Sequence, residues 1–535
     1  MLKEQADLSG AKGIRGKVNK ATYVHEQLQQ VANSSQEPII EILNANNITH
    51  KSLSIVNVIR AVGDLELVKL LAERDDVANI QDNPHVKFDH PRAEENAGSR
   101  VLEWGLTKIQ ADKVWEMGYR GGDVVIGGQD TGYDWEHPAL MKKYRGYVEN
   151  GDADHNYNWH DAIREFSPLH DTEVNPCGLD SSVPCDDNNH GTHTMGTMIG
   201  SDGDNEIGVA PDAEWCGCRN MERGWGSPFS YIECFEWFVA PTDLNNENPD
   251  PSKGPHVISN SWGCPEVEGC FPSNFEMMNM AVENLRAAGT VVVVSAGNSG
   301  SACNSITNPA AIFEGSFTVG AVAINDTIAN FSSRGSVEVD SSGRLKPNIS
   351  APGVGVRSSI RNGEYATFSG TSMAGPHVAG VVALMISANP ELAGEVDIIE
   401  DIIETTAIPA TTDVECGGVS GTSIPNNTYG FGRIDALTAV ERALTIFPVS
   451  TAEAAAQLLN IYPNPTKGFL NMELLNITGE VTLKVYDVNG SLVYVDEFEG
   501  ANQMVYTLDL SMQAGIYFYR LEQDRTVFDG KIVVE

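Results

Sequence analysis

The chain has 535 residues, 41% of them hydrophobic, with 51 glycines and 25 prolines, a length that calls for two or three domains rather than one. Its 35 basic and 73 acidic side chains leave a formal charge of −38, which argues against nucleic acid as a partner. No run of about 18 apolar residues occurs, so no transmembrane segment is expected, and the opening MLKEQADLSGAKG lacks the apolar stretch of a signal peptide.

Residues 1–97, with 11 basic and 14 acidic residues, read as a small α/β module. EPIIEILNANN has a proline near its start and Ile39, Ile40 and Leu43 at helical spacing. KSLSIVNVIRAVG is strand-like, DLELVKLLAERDD returns to helical spacing, and VANIQDNPHVKF reads as a final strand. DHPRAEENAGSR then loses its hydrophobic pattern and reads as an exposed linker.

Residues 98–446 alternate apolar strands with helices, the pattern of a largely parallel α/β sheet. Strands are expected at Val124–Gly128, Val257–Ser259, Val291–Ser295 and Phe317–Ala323, and helices at Phe275–Ala288, Gly375–Asn389 and within FGRIDALTAVERALTIF. All nine cysteines fall in this part, between Cys177 and Cys416. The close pairs Cys177/Cys185, Cys218/Cys234 and Cys264/Cys270 suit short disulfide loops made in an oxidising compartment, with at least one thiol left over. No Cys-x-x-Cys pair exists, so zinc is not expected.

From 447 the character changes again. A small-residue linker (447–458) leads into 459–535, a cysteine-free stretch with strands at VTLKVYDV, SLVYVDEF, IYFYRLE and TVFDGKIVVE and a hairpin signal, VNG, at 488–490. A β-sandwich is expected there.

Four short texts in the middle segment carry chemistry. VVIGGQDTGYDWEHP places Asp130 at the end of an apolar strand, and DDNNHGTHTMGTM places His190 at a turn entering a helix. FSGTSMAGPHVAG puts Ser372 after Gly370-Thr371 at the head of an apolar helix, and VVVVSAGNSG leaves Asn298 just past a strand. A serine hydroxyl becomes a useful nucleophile when an imidazole takes its proton, and the imidazole needs a carboxylate to hold its tautomer. An amide such as that of Asn298, with the Ser372 N–H, would stabilise the oxyanion. Taken singly each text has a plain structural reading: a cap, a turn, a loop. His193 and His377 read as packing residues, and the HGTH pair lacks a third metal ligand. The joint occurrence in the order Asp, His, Asn, Ser is what points to acyl transfer.

With DTG, HGTHTMGT, GVAP (208–211), SAGN and GTSMAGPHVAG, residues 98–446 resemble the subtilase family of serine peptidases. The resemblance implies a doubly wound, mostly parallel sheet, with Asp130, His190 and Ser372 as a catalytic triad and Asn298 in the oxyanion hole. It implies that the backbone of Ser261-Trp262-Gly263 pairs with the substrate strand and that this segment walls the primary pocket, with Ala296-Gly297 opposite. No cofactor is implied for the chemistry. Many members bind structural calcium; here the matching aspartate position is Ala139, and the acidic loop GSDGDNEIG departs from the usual calcium loop.

Residues 1–97 resemble a subtilase propeptide, cleaved roughly between Asp89 and Val101. The family strand expected before residue 3 is missing, which implies a start truncated together with any signal peptide. YPNPTKGFLNM, LKVYDVNGSLVY and AGIYFYRLE resemble the sorting domain of type IX secretion, implying a secreted or cell-surface protein that meets that machinery and protein substrates. Two other readings are an inactive surface adhesin on the same scaffold, although no triad residue is missing, and an esterase, although GxSxG is absent around Ser372.

Overall fold

Apolar residues recur at helical spacing from Ala21 to Leu43, and a single helix, α1 (Lys17–Ala45), carries them all. Pro38 therefore lies inside a helix rather than at its start: it forgoes one backbone bond, while the buried stripe of Ala21, Val24, Leu28, Ala32, Ile39 and Leu43 continues across it. The expected strand at 51–63 is instead a hairpin, β1 (His50–Leu53) and β2 (Val58–Ala61). Its turn ends at Asn57, in the left-handed region at φ 42°, where the Gln36 amide donates to both Leu53 O and Asn57 Oδ1 (2.9 Å each). Asp64 caps α2 (Leu65–Ala72) by accepting from the amides of Glu66 and Leu67. In the computed structural model the described residues are 1–87, 91–94, 102–169, 175–264, 270–446, 459–475, 479–488, 490–500, 503–509, 513–523 and 526–535. They form two units, 1–444 and 445–535.

The last strand of the N-terminal module and its supposed linker do not behave as expected. Only Val86–Lys87 (β3) is extended in the former, and Arg92–Glu94 (β4) in the latter is a strand rather than exposed coil. Both pair with the middle segment.

The middle segment is built on β5 (Val125–Asp130), β6 (Trp159–Asp161), β7 (Glu214–Arg219), β9 (Val257–Asn260), β10 (Val291–Ser295), β11 (Phe317–Val322) and β12 (Ile349–Pro352). These make one seven-stranded sheet in the order β12-β11-β10-β9-β5-β7-β6, parallel throughout. Strands such as Val291–Val294 are buried on both faces, which is why they read as unbroken apolar runs. Between β5 and β9 the strand order reverses, so the carboxyl ends of these two strands open onto the crevice where doubly wound sheets place their sites.

Off the sheet lie β8 (Trp225–Gly226) and the hairpin of β13 (Val356–Ile360) with β14 (Glu364–Ser369). The helices include α3 (His190–Ile199), α4 (Pro228–Val239), α5 (Pro272–Ala287), α6 (Thr371–Ala388), α7 (Val396–Thr405) and α8 (Ala436–Ala443). Helix α6 begins four residues before the expected Gly375, which puts Ser372 in its first turn. Among the described residues α6 is the one helix long and apolar enough to cross a membrane, and it is buried in the core. Disulfides join Cys177–Cys185, Cys218–Cys234 and Cys264–Cys270, as the spacings implied, and also Cys303–Cys416, which are 113 residues apart; Cys216 is free and buried.

The C-terminal unit is an antiparallel two-sheet fold. Strands β15 (Leu459–Tyr462), β16 (Phe469–Leu475) and β19 (Gln503–Asp509) form one sheet in the order β15-β16-β19. The other, in the order β18-β17-β20-β21, contains β17 (Gly479–Tyr486), β18 (Leu492–Gly500), β20 (Gly515–Gln523) and β21 (Thr526–Val534). Alternate residues such as Leu470, Met472, Leu474, Val481, Leu483 and Val485 face inward. The first sheet was absent from the sequence reading, and β15 begins just beyond the supposed linker, whose residues 447–458 lie outside the described set.

Candidate active site

Asp130 ends β5 and is almost fully buried. Its two carboxylate oxygens lie 2.7 and 2.8 Å from His190 Nδ1, and the Thr131 amide donates to Oδ1 at 2.7 Å. His190 is the first residue of α3. A Cβ on Gly191 would come within 2.1 Å of Gly132 O and 3.3 Å of Asp130 Cβ, so the two turns approach too closely for any side chain there. Gly132, at φ +101°, is similarly backed against Cys185 O.

Ser372 is the second residue of α6, a helix that packs against α3. Asn298 follows β10 after Ser295-Ala296-Gly297. Its Oδ1 accepts from the Thr371 amide (2.9 Å) and hydroxyl (3.0 Å). That leaves Nδ2 beside Gly370, 3.8 Å from where a Cβ on that glycine would sit. Asp130 and His190 are thus in direct contact, and Asn298 is bonded to Thr371, the residue before Ser372, on a helix that packs against that of His190.

Ser261-Trp262-Gly263 and Ala296-Gly297 leave the neighbouring parallel strands β9 and β10, where Asn260 is opposite Val294. The Trp262 side chain is not free to contact substrate: it is buried and stacked on Tyr231, ring centres 3.9 Å apart. No strand pairing of 261–263 is seen among the described residues. Extended chain is held by two segments that the sequence reading missed. Strand β3 pairs antiparallel with β8 (Val86 opposite Gly226, Lys87 opposite Trp225), and β4 pairs antiparallel with β14 (Arg92 opposite Ser369, Ala93 opposite Phe368, Glu94 opposite Thr367). Between them Pro91 Cβ lies 3.3 Å from the Cβ position of Gly370. Gly224-Trp225-Gly226 ahead of α4 and the Ser-Gly ahead of Thr371 were the available signals: small residues where backbones must meet. The span Asp89–Val101 expected to hold a cleavage point lies largely outside the described residues.

Around the site the N-terminal module is tied down by side chains. Glu236 Oε2 accepts from the Ser54 hydroxyl (3.0 Å) and the Ile55 amide (2.8 Å), and the Asn284 amide donates to Ile55 O at 2.6 Å. Lys51 meets the buried Glu233 at 2.6 Å, alongside His160 (2.8 Å) and Arg164 (3.0 Å). Burial alone would raise the Glu233 carboxyl, but His160, Lys51 and Arg164 bring it down to about 2.

Next to Asp130 on the sheet lies a second set of charges that no motif revealed. Arg219, opposite Asp130 in the β5–β7 register, is without solvent exposure and reaches Asp161 (3.1 Å) and Asp187 (2.5 Å). These pairs anchor the long insertion between Asp130 and His190. Burial pushes the Asp187 carboxyl up to about 7, against the pull of Arg219. His193 Nε2 faces the carbonyls of Val356 and Ala366 (3.1 and 3.2 Å) and its ring stacks on Phe368; burial brings it down to about 3. His377 Nδ1 contacts Met373 O at 2.8 Å, and burial brings it down to about 4. Both are packed as structural histidines.

Among the described residues no group of three or more His, Cys, Asp or Glu side chains gathers where the resemblance would put calcium. Ala139 offers no carboxylate, and its carbonyl accepts from the Ser201 amide. In the acidic loop, Asn205 Oδ1 accepts from Arg357 (2.9 Å), which also pairs with Glu103 outside the loop (3.0 Å), and one oxygen of Glu206 pairs with Arg120 (3.0 Å) while its Oε2 is buried without a hydrogen-bond partner among the described residues.

A doubly wound parallel sheet with a buried carboxylate–imidazole pair, a helix-start serine and an oriented amide defines a nucleophilic hydrolase of the α/β class. Comparison narrows this: the profile of the Subtilase family matches residues 121–432, and the chain belongs to that family of serine peptidases. A profile of the secretion system C-terminal sorting domain matches 460–535, which makes the protein a secreted or cell-surface one. Similar proteins include Bacillopeptidase F of Bacillus subtilis (36% identity over 443 residues, 79% of this chain and 28% of that protein). Subtilisin E of the same organism is 29% identical over 360 residues, 67% of this chain and 77% of the relative. Serine protease AprX, also from that organism, is 36% identical over 234 residues, 39% of this chain and 51% of the relative.

Proposed function

We propose that the protein is a serine endopeptidase exported by the type IX route and made as a self-inhibited precursor. Ser372 Oγ attacks the peptide carbonyl while His190 takes its proton, and Asp130 holds the imidazole and stabilises its cation. The Ser372 N–H and Asn298 Nδ2 receive the oxyanion; the proton then passes from His190 to the leaving amine, and water hydrolyses the acyl-enzyme. Every group in this sequence comes from the chain itself, so the chemistry calls for no cofactor.

The observation that supports the reading is the pairing of Val86–Lys87 and of Arg92–Glu94 with the middle segment. The chain is strand-paired to Trp225–Gly226 before the site and to Thr367–Ser369 after it, and Pro91 packs against Gly370. A polypeptide held on both sides of the nucleophile is how an endopeptidase takes substrate, by adding a strand. Residues 1–97 accordingly act as a propeptide that blocks the cleft until the chain is cut between Lys87 and Arg92. The 459–535 module serves as the export signal.

Ser372→Ala should leave the precursor uncut and lower casein hydrolysis on the order of a million-fold. Equal hydrolysis by both proteins would defeat the assignment and favour the adhesin reading. Asn298→Ala should lower kcat about 100- to 1,000-fold with a smaller effect on KM. N-terminal sequencing of the mature enzyme checks the cleavage window, and deleting 459–535 should keep the protein from the medium.

A further inference from the structure

Asp186 lies four residues before His190 and is 4% exposed. Its carboxylate accepts five hydrogen bonds. Oδ1 receives the Thr131 hydroxyl (2.9 Å) and the amides of Asn188 (2.8 Å) and Asn189 (3.1 Å); Oδ2 receives the amide (3.1 Å) and hydroxyl (2.6 Å) of Thr192. These donors come from two elements, the turn that leaves β5 after Asp130 and the turn that opens α3 at His190.

An ionised carboxylate only accepts, and that fixes the direction of its neighbours' bonds. Thr131 Oγ1 must donate to Asp186, so its lone pairs face the Gly191 amide, which donates to it at 3.1 Å. Thr192 Oγ1 likewise donates to Asp186 and accepts from the Asp134 amide at 3.0 Å. The residue after Asp130 is thereby bonded to the residue after His190. We propose that Asp186 is a positioning residue that sets the distance and angle of the Asp130–His190 pair by bonding both of their turns to one carboxylate. This rests on the reading of Asp130 and His190 as the catalytic pair.

The amide of Asp186→Asn presents two donors where the carboxylate met only donors, so one side of the network must open. A carboxylate held less closely stabilises the imidazolium less, and angular error at the general base lowers the rate of proton transfer. The test uses the full chain and reads the first-order rate of its own cleavage across pH, a single-turnover measurement free of KM. Asp186→Asn should slow cleavage about 10- to 100-fold and move the acidic limb of the rate–pH profile down by roughly half a unit to one unit.

Should that variant fail to fold, Thr131→Val removes only the hydroxyl bridge and should shift rate and profile the same way, while Thr131→Ser restores both. A folded Asp186→Asn or Thr131→Val chain with native rate and profile overturns the proposal. So does a slower rate with an unmoved profile, or a Thr131→Ser chain as impaired as Thr131→Val. Ser372→Ala separates this from the underlying reading. If that variant is inert while Asp186→Asn is normal, only the positioning role falls; if Ser372→Ala still cuts itself, the catalytic reading falls with it.

Discussion

The two flanking modules are of similar size and are stabilised in opposite ways. The N-terminal module has a small core of its own, Leu2, Ile39, Leu43 and Leu67. Its other apolar face, including Ala21, Val24, Leu28, Ile55, Val56 and Val86, belongs to the same cluster as Phe235, Trp262 and Val292 of the peptidase segment. The C-terminal unit buries eleven residues among themselves, from Leu470 to Val534. One module is thus completed by the surface it covers, and the other closes on itself. Small modules without a full core depend on a partner for stability.

That contrast can be broken by experiment. The largest effect should come from Val24→Asp, which buries an unpaired carboxylate in the shared core at a cost of about 5 kcal/mol. Active enzyme recovered on refolding should fall sharply, and an unchanged yield would mean the module does not share the peptidase core. Leu483→Ala should destabilise the C-terminal unit by about 2–5 kcal/mol. In calorimetry only one transition should move, with casein hydrolysis per folded molecule unchanged; two shifted transitions would show that the units are coupled.

A third experiment uses pH. Because the Glu233 carboxyl is held at about 2 against an ordinary 4.5, the stability it contributes is complete above about 4.5 and is lost as pH falls toward 2. Glu233→Gln should lower the precursor's stability by about 2 kcal/mol at neutral pH and flatten its dependence over that window, as read by denaturant titration. The smallest effect is expected from Lys17→Met. The Lys17 amine is buried, has no hydrogen-bond partner among the described residues, and is brought down to about 8 by burial. Methionine should stabilise the precursor by about 1 kcal/mol and remove the rise in stability expected for the native chain as pH climbs above 8. A lower melting point would show that the amine is a favourable contact.

Much of the site was legible because its geometry is demanded locally. Gly191 is fixed by the 2.1 Å approach of Gly132 O, and Gly132 by its φ of +101° and the 1.8 Å approach of Cys185 O. Such crowding leaves a written trace in DTG and HGTH. The hairpin at 50–61 was misread as one strand because its turn, Ser54 to Asn57, is apolar in the middle: Ile55 and Val56 are buried against the peptidase. Nothing within the module explains two buried residues at the tip of a turn. The expected linker concealed β4 for a related reason, since a strand that pairs through backbone atoms with Thr367–Ser369 needs no alternating side chains of its own.

The α/β class, the subtilase resemblance and the close cysteine spacings were legible in the sequence itself. Each rests on periodicity, spacing or a steric requirement that neighbouring residues record. Tertiary structure alone decided that Val86–Lys87 and Arg92–Glu94 pair with the middle segment, that Cys303 meets Cys416, that Arg357 and Arg120 meet Asn205 and Glu206 of the acidic loop, and that Arg219 pairs with Asp161 and Asp187. Those contacts join residues up to hundreds of positions apart, and a hydrogen bond or ion pair depends on where the sheet and helices carry its two ends, not on the letters beside them.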